Sequence, residues 1–241
     1  MDIHIQERRA AKVSAQAPHA EGTPSSGSGQ EAILTAAADC FMEAGYNATS
    51  IDDVAHRLSA TKGMIYHYYR SKADLFFDVH RRGMRINLDA IQPMAHSSQP
   101  PLQRFEAMCR AHLLNMMEHI RFQRVVMQGV EMHLAGATTP AQREQLAVLM
   151  SEREQYENLF RAVMVEGRDA GVLAFDNPSF ASKAVLAILN TPVLWYRRRE
   201  DESLQSRNAI IDQFTRFALA CAGATTHNPT RSENTIRSTS L

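Results

Sequence analysis

From about residue 31 to residue 223 the apolar side chains recur at three- and four-residue spacing and nowhere sustain a two-residue alternation. A 3.6-residue period puts such a set on one side of a helix, whereas a strand needs period two, so this chain can bury its apolar residues only by packing helix on helix. The expected fold class is therefore all-α, with about nine helices. Residues 1–29, which include the run Gly22-Thr-Pro-Ser-Ser-Gly-Ser-Gly29, and residues 224–241 are polar and aperiodic, the composition of disordered tails.

Start and stop signals divide the span between the tails. A first helix from about Glu31 carries Ile33, Leu34, Ala37, Cys40, Phe41 and Ala44 on one side and meets a closing glycine at Gly45. Asn47 to Ser50 offers capping oxygens to a short helix over Ile51–Leu58, and Ser59-Ala-Thr61 turns into another over Lys62 to Tyr68 or Tyr69. A fourth helix, capped near Ser71, should stop before Pro93. Amphipathic stretches follow at roughly 101–119 and 120–135. Thr139-Pro-Ala-Gln142 combines a cap, a first-position proline and a capping-box partner, and opens a helix that runs to Gly167 or Gly171. The last two run from Asn177-Pro178 to about Arg198 and from Ser203 to Ala222, with a stop at Gly223.

Composition bounds the compartment. Three cysteines at unrelated spacings fit neither a disulfide frame nor a zinc site, so the expected compartment is reducing. No apolar leader and no run of about 18 apolar residues is present, which points to a cytoplasmic protein without a membrane partner.

The segment Thr49 to Leu75 is the most informative. It reads as a short helix, a three-residue turn and a second short helix, with Ile51, Val54, Ala55, Leu58 and Ile65 available to lock them together. A second helix this short and polar-faced has the shape that enters a DNA major groove. Thr49, Val54, Ala55, Thr61, Lys62, Gly63, Ile65, Tyr66, Tyr68, Ser71, Lys72 and Leu75 follow in order the signature of the TetR family of bacterial transcriptional regulators, which the chain resembles. Two positions depart from that pattern: Ser59 stands where a turn glycine is usual, and Tyr69 where phenylalanine is usual. A serine held at positive φ costs roughly 1 kcal/mol, which a packed domain absorbs.

The resemblance implies a helix-turn-helix unit over 30–75, a linking helix to about 92, and a ligand-binding and dimerisation domain over 93–223. It implies that Thr49, Thr61, Tyr66 and Lys72 meet phosphates, that Lys62, Gly63, Met64 and His67 face base edges, and that Tyr68 serves either purpose. Tyr69 is assigned to the core. It further implies a homodimer on a palindromic operator of double-stranded DNA and a small-molecule effector, with no enzymatic activity, metal or cofactor. The expected regulation is repression released by the effector, with activation as the alternative. An enzyme with an incidental helix-turn-helix is the reading from another class, and no G-x-S-x-G, metal set or phosphate loop in the sequence supports it.

Charge locates the same surface. The 26 basic residues balance the 26 acidic ones, yet residues 31–53 hold five acids and no base, while 54–85 hold seven bases against two acids. A neutral total is thus compatible with a local cationic face for phosphate.

In the second half, Met108, His112, Met116, Met127, Gln128, Tyr156, Phe160 and Met164 form the expected effector pocket. His112, His119 and His133 lack metal-ligand spacing and read as exposed or capping. Leu186, Leu189, Val193 and Trp195, with Ile210, Phe214 and Phe217, form the dimer face that the resemblance implies. The run Leu194-Trp-Tyr-Arg197 resembles a feature of family members that sense acyl-CoA thioesters or steroid and aromatic catabolites.

Overall fold

In a computed structural model, residues 26–136 and 139–224 are described; of the tails expected at 1–29 and 224–241, residues 1–25 and 225–241 lie outside the described residues. Every regular element among the described residues is helical. In order they are α1 (Ser26–Ala48), α2 (Ile51–Arg57), α3 (Lys62–Tyr68), α4 (Lys72–Ala95), α5 (Pro101–Glu118), α6 (Ile120–Ala135), α7 (Pro140–Asp169), α8 (Pro178–Asn190), the single turn α9 (Pro192–Trp195) and α10 (Leu204–Cys221).

The caps are largely those the sequence indicates. Ser50 and Asp53 form a reciprocal capping box at α2, and Thr139 and Gln142 form another at α7. Asn177 and Ser203 cap α8 and α10. Gly45 breaks the helical path of α1 at φ 79°, a backbone that glycine adopts without strain. Gly223 follows α10 at φ 64°, and a Cβ there would lie 2.2 Å from the Ala174 carbonyl oxygen, so both the turn and the close approach require glycine.

Three boundaries differ from expectation, each for a packing or backbone reason. α1 begins at Ser26 instead of Glu31 because Gly29 lies under the Tyr68 hydroxyl, and Gln30 donates to the Tyr69 hydroxyl at 3.3 Å. Tertiary contact therefore outweighs the weak helix propensity of a Ser/Gly run. α4 passes through Pro93 and ends at Ala95, since a proline in the last turn removes only one ladder bond. The helix expected to reach Arg198 ends at Asn190, because Pro192 has no N–H to continue the ladder and starts α9 instead.

Two apolar cores result. One joins α1, α2 and α3 to the start of α4 and to Phe122, Val125, Leu146 and Leu149 of α6 and α7. The other fills the space among α4, α5, α7, α8 and α10, around Phe105, Met108, Leu113, Phe160 and Leu189. The helix α4 contributes to both: Leu75, Phe76 and Val79 enter the first, Met84, Ile91 and Ala95 the second.

Candidate nucleic-acid interface and effector pocket

The α2–α3 unit is built on Ile51, Val54, Ala55 and Ile65, all at most 6% exposed. Ala60 N–H donates to the Ala55 carbonyl at 2.9 Å, which closes the turn, and Ser59 sits at φ 52°, the one non-glycine residue at positive φ among those described. Thr61 caps α3 by accepting from the Met64 N–H at 3.3 Å. With Ile65 and Tyr69 locked inward, α3 turns Lys62, Gly63, Met64, Tyr66 and His67 outward. Tyr66 is 48% exposed. Tyr68 is half-buried beside Gly29, and its ring stands edge-on to that of His67. Tyr69 is in the core, as the sequence indicates.

Two residues assigned to phosphate are turned inward. Thr49 is 3% exposed, and its hydroxyl donates to the carbonyls of Cys40 and Gly45 at 3.1 and 2.7 Å. The ammonium of Lys72 donates to the carbonyls of Tyr46, Asn47 and Thr49 at 2.8, 3.3 and 2.9 Å, and lies 4.5 Å from the Tyr46 ring centre. These groups complete the end of α1, whose last carbonyls have no helical partners of their own. They frame the reading unit.

The cationic stretch is also more internally paired than the sequence count suggests. Arg57 pairs with Glu43, Lys62 with Asp52 at 2.7 Å, Arg81 with Asp78 at 3.5 Å and Arg82 with Glu31 at 3.0 Å. Asp52 holds the exposed Lys62 ammonium above its usual pKa, through the hydrogen bond first and the charge second. Arg70, exposed at the end of α3, makes no such pair among the described residues.

The expected effector residues separate into two groups. His112, Met116, Met127 and Tyr156 line a recess of about 30 Å³ enclosed by α4, α5, α6, α7 and α8. Met108, Phe160 and Met164 belong to the core beneath it. Gln128 instead donates to the Phe41 carbonyl at 2.8 Å, toward α1. The recess has polar walls that periodicity could not reveal. Asn87 and Gln123 exchange amide hydrogen bonds at 2.9 and 2.8 Å, and Asn115 donates to Asn87 at 2.5 Å. His112 Nδ1 lies 2.6 Å from the Tyr156 hydroxyl, and its Nε2 lies 3.2 Å from Asn190 Oδ1. A carboxamide oxygen only accepts, so Nε2 carries the proton and Nδ1 accepts from tyrosine. Burial pushes the His112 pKa down to about 4, with the Asn190 bond pulling weakly the other way, so the imidazole is neutral. His112 is thus neither exposed nor a cap, whereas His119 does join α5 to α6 and His133 is exposed. Among the described residues no three His, Cys, Asp or Glu side chains converge as a metal set.

The expected dimer face is reordered. Leu186 and Leu189 are at most 7% exposed and belong to the domain core, held there by α5 and α10, and Val193, equally buried, lines the recess. The outward apolar side chains are Phe180, Leu194, Trp195, Leu204 and Phe217, with Ile210 and Phe214 half-buried beside them. Trp195 and Phe214 pack with ring centres 5.9 Å apart, which continues this surface from α9 to α10.

An exposed, polar-faced second helix on a rigid helix-turn-helix, joined by one long helix to an all-helical second unit, defines a helix-turn-helix DNA-binding regulator. Comparison with known proteins gives its family. The profile described as bacterial regulatory proteins, tetR family, matches residues 33–79, and that described as tetracyclin repressor-like, C-terminal domain, matches residues 98–222. The chain belongs to the TetR family of DNA-binding transcriptional regulators. It is similar to the HTH-type transcriptional activator FasR of Mycolicibacterium smegmatis, 26% identical over 87 residues, which are 36% of this chain and 39% of that protein. The chain thus matches about two fifths of the length of this curated relative. Its fold resembles a bacterial regulatory protein of the tetR family from Rhodococcus RHA1, with a TM-score of 0.71 and 19% identity over 82% of this chain and 98% of the other. It also resembles AibR in complex with isovaleryl coenzyme A and operator DNA, with a TM-score of 0.66 and 19% identity over 81% and 99%. No helix among the described residues is long and apolar enough to cross a membrane.

Proposed function

We propose that this chain is a cytoplasmic homodimer that holds a palindromic operator through the outward faces of its two α3 helices, and that a small molecule entering between α4 and α8 changes that grip. Thr61, Lys62, Gly63, Met64, Tyr66, His67 and Tyr68 are the proposed contact residues, with Arg70 as an added phosphate anchor; Thr49 and Lys72 hold the frame. On this reading residues 30–75 engage DNA, α4 connects, and residues 93–223 sense and dimerise.

The observation that carries the reading is α4 itself. Its first turns are fastened to α3 through Asp78 and Tyr69, and about two turns on, Met84 and Asn87 line the recess. A ligand that shifts one end of a packed helix shifts the other, because a close-packed core yields by moving rigid elements. Two linked reading helices lose affinity when their spacing no longer fits both half-sites, so effector binding releases DNA and the protein acts as a repressor. An acyl-CoA or a hydrophobic or aromatic catabolite is the proposed effector type, in line with AibR and its isovaleryl coenzyme A. Activation is the second reading, favoured by the likeness to FasR, which is described as an activator. The exposure of Phe180, Leu194, Trp195, Leu204 and Phe217 on the last three helices supports a second copy as the dimer partner, since large apolar side chains left in water are costly.

Selection of duplexes from a random pool by the full chain tests the reading. The enriched sequence should be palindromic, and the double variant Lys62→Ala, Tyr66→Ala should lose it in gel shifts at fixed salt. A non-palindromic consensus, or undiminished binding by the double variant, removes it. Reporter expression after deletion of the protein separates repression from activation.

A further inference from the structure

The recess between α4 and α8 continues into a wider opening of about 380 Å³, and the two share Met127, Arg153, Glu157, Leu186 and Asn190. Arg153 therefore stands at the junction. It is half-buried, and among the described residues it has no ion pair and no hydrogen bond. Its neighbour one turn on is the opposite case. Glu157 Oε1 accepts from Arg161 at 2.6 Å, from Lys183 at 2.8 Å and from the Ser182 hydroxyl at 2.8 Å. Burial opposes ionisation of Glu157, but these three donors outweigh it and hold its pKa below the usual range. The Glu157 carboxylate is thus already held through Oε1 by two cations and a hydroxyl, and it makes no ion pair with Arg153. Deeper in, the polar wall is uncharged, with His112 neutral between Tyr156 and Asn190.

We propose that the ligand of this recess is an organic monocarboxylate, with its carboxylate paired to Arg153 and its uncharged body inside, against Met116, Met127 and the His112–Asn190 pair. This rests on the effector-pocket reading above and narrows its ligand from an acyl-CoA or catabolite to a catabolite acid. A guanidinium without a partner in a partly desolvated place favours a planar, bidentate anion. One carboxylate balances it, whereas a dianion would meet Glu157 one turn away on the same helix wall. A neutral ligand would leave Arg153 as it stands and gain nothing from it. At about 30 Å³ the recess holds about one water. The body therefore enters by displacing the flexible thioether chains of Met116 and Met127, which adapt at small cost. The outer rim of the opening includes Leu194 of the outward face proposed for the dimer, so a second copy would border the bound acid.

Thermal melts and calorimetric titrations of the full chain with butyrate, hexanoate, benzoate and phenylacetate, each against its primary amide, test the proposal. At least one acid should raise Tm by about 2–5 °C at saturating concentration while its amide leaves it within about 0.5 °C. Arg153→Gln should weaken that acid at least about tenfold with unchanged circular dichroism, and Arg153→Lys should recover part of the loss because it restores the charge without the fork. Amides that bind as well as acids, or full affinity in Arg153→Gln, would overturn the proposal while keeping the pocket reading. If neither acids nor amides bind, both fall.

Discussion

The Tyr69 hydroxyl donates to Asp78 Oδ2 at 2.8 Å, which ties the end of the reading helix to the second turn of α4. Gln30 donates to both partners, at 3.3 and 3.4 Å, so α1 joins the same knot. Burial, with Asp78 adding to it, raises the phenol pKa, so the hydroxyl stays a donor at any working pH. The Tyr69→Phe variant keeps the ring and removes the donor. We expect it to fold and to lose about 1 kcal/mol in urea denaturation. It should also blunt the response of operator affinity to effector, since α3 is then less firmly coupled to α4. An unchanged effector response would assign the bond to stability alone.

Lys72 gives a direct contrast between a framing and a contacting cation. Lys72→Met keeps the aliphatic stem and removes the three donors to the end of α1, so stability should fall by about 2 kcal/mol. The slope of log affinity against log salt should not change, because no phosphate contact is lost. Arg70→Ala should do the reverse, leaving stability within about 0.5 kcal/mol and flattening the slope by about 0.9. A flattened slope in Lys72→Met would restore the phosphate role first read from the sequence.

Which parts were legible follows from the range of each cause. The Thr139–Gln142 capping box and the Gly45 break are fixed by residues within one turn, and both stand where the sequence puts them. The role of Lys72 depends on carbonyls 23 to 26 residues away, and nothing local in the sequence reports that distance. The outward face of α8 is not legible from the sequence because the helix is apolar on two sides. Only the placement of α5 and α10 decides that Leu189 points in and Phe180 out. The break before Pro192 was readable, since the residue preceding a proline is biased away from helix. The polar walls of the recess were not readable: Asn87, Gln123 and Asn190 come from three helices, and each alone looks like an ordinary surface amide.

Lys62 is held by Asp52, so the proposed contact of Lys62 with a base edge competes with that pair. Both side chains are substantially exposed, and the pair contributes little to folding. Asp52→Asn should therefore leave the urea midpoint nearly unchanged and strengthen operator binding several-fold. The gain should be largest at low ionic strength, where an added carboxylate near phosphate repels most. Equal affinity of wild type and variant at about 50 mM salt would show that Lys62 does not approach the duplex.

Ser59 at φ 52° is held where glycine is at ease. Ser59→Gly should raise stability by about 0.5–1 kcal/mol, the strain relieved exceeding the entropy added to the unfolded chain. Ser59→Val should lower it by more, since a β-branched residue resists that region. A loss of stability in the glycine variant would mean that the turn is not strained.

Acid sensitivity follows from two buried histidines. His80 is fully buried with neither ring nitrogen in an acceptable hydrogen bond, and a Cβ on Gly129 would come within 2.5 Å of its ring. Burial, then the charges of Arg153 and Arg81, push its pKa down to about 4, against a weak pull from the Val126 carbonyl. His112 is lowered to about 4 chiefly by burial. In the unfolded chain both titrate near about 6.5, so between those values the unfolded state binds more protons. Stability is thus full above about pH 6.5 and falls toward pH 4, by about 2 kcal/mol per histidine at pH 5. Urea midpoints between pH 7.5 and 5 read this effect, to which His119, also lowered by burial, adds, while the lowered Glu157 carboxylate titrates below that window. His112→Gln, whatever its stability at pH 7.5, should remove a substantial part of the decline but not all of it. A midpoint that does not move down to pH 5 would mean that both imidazoles accept protons in the folded chain, which requires water or a carboxylate to reach them.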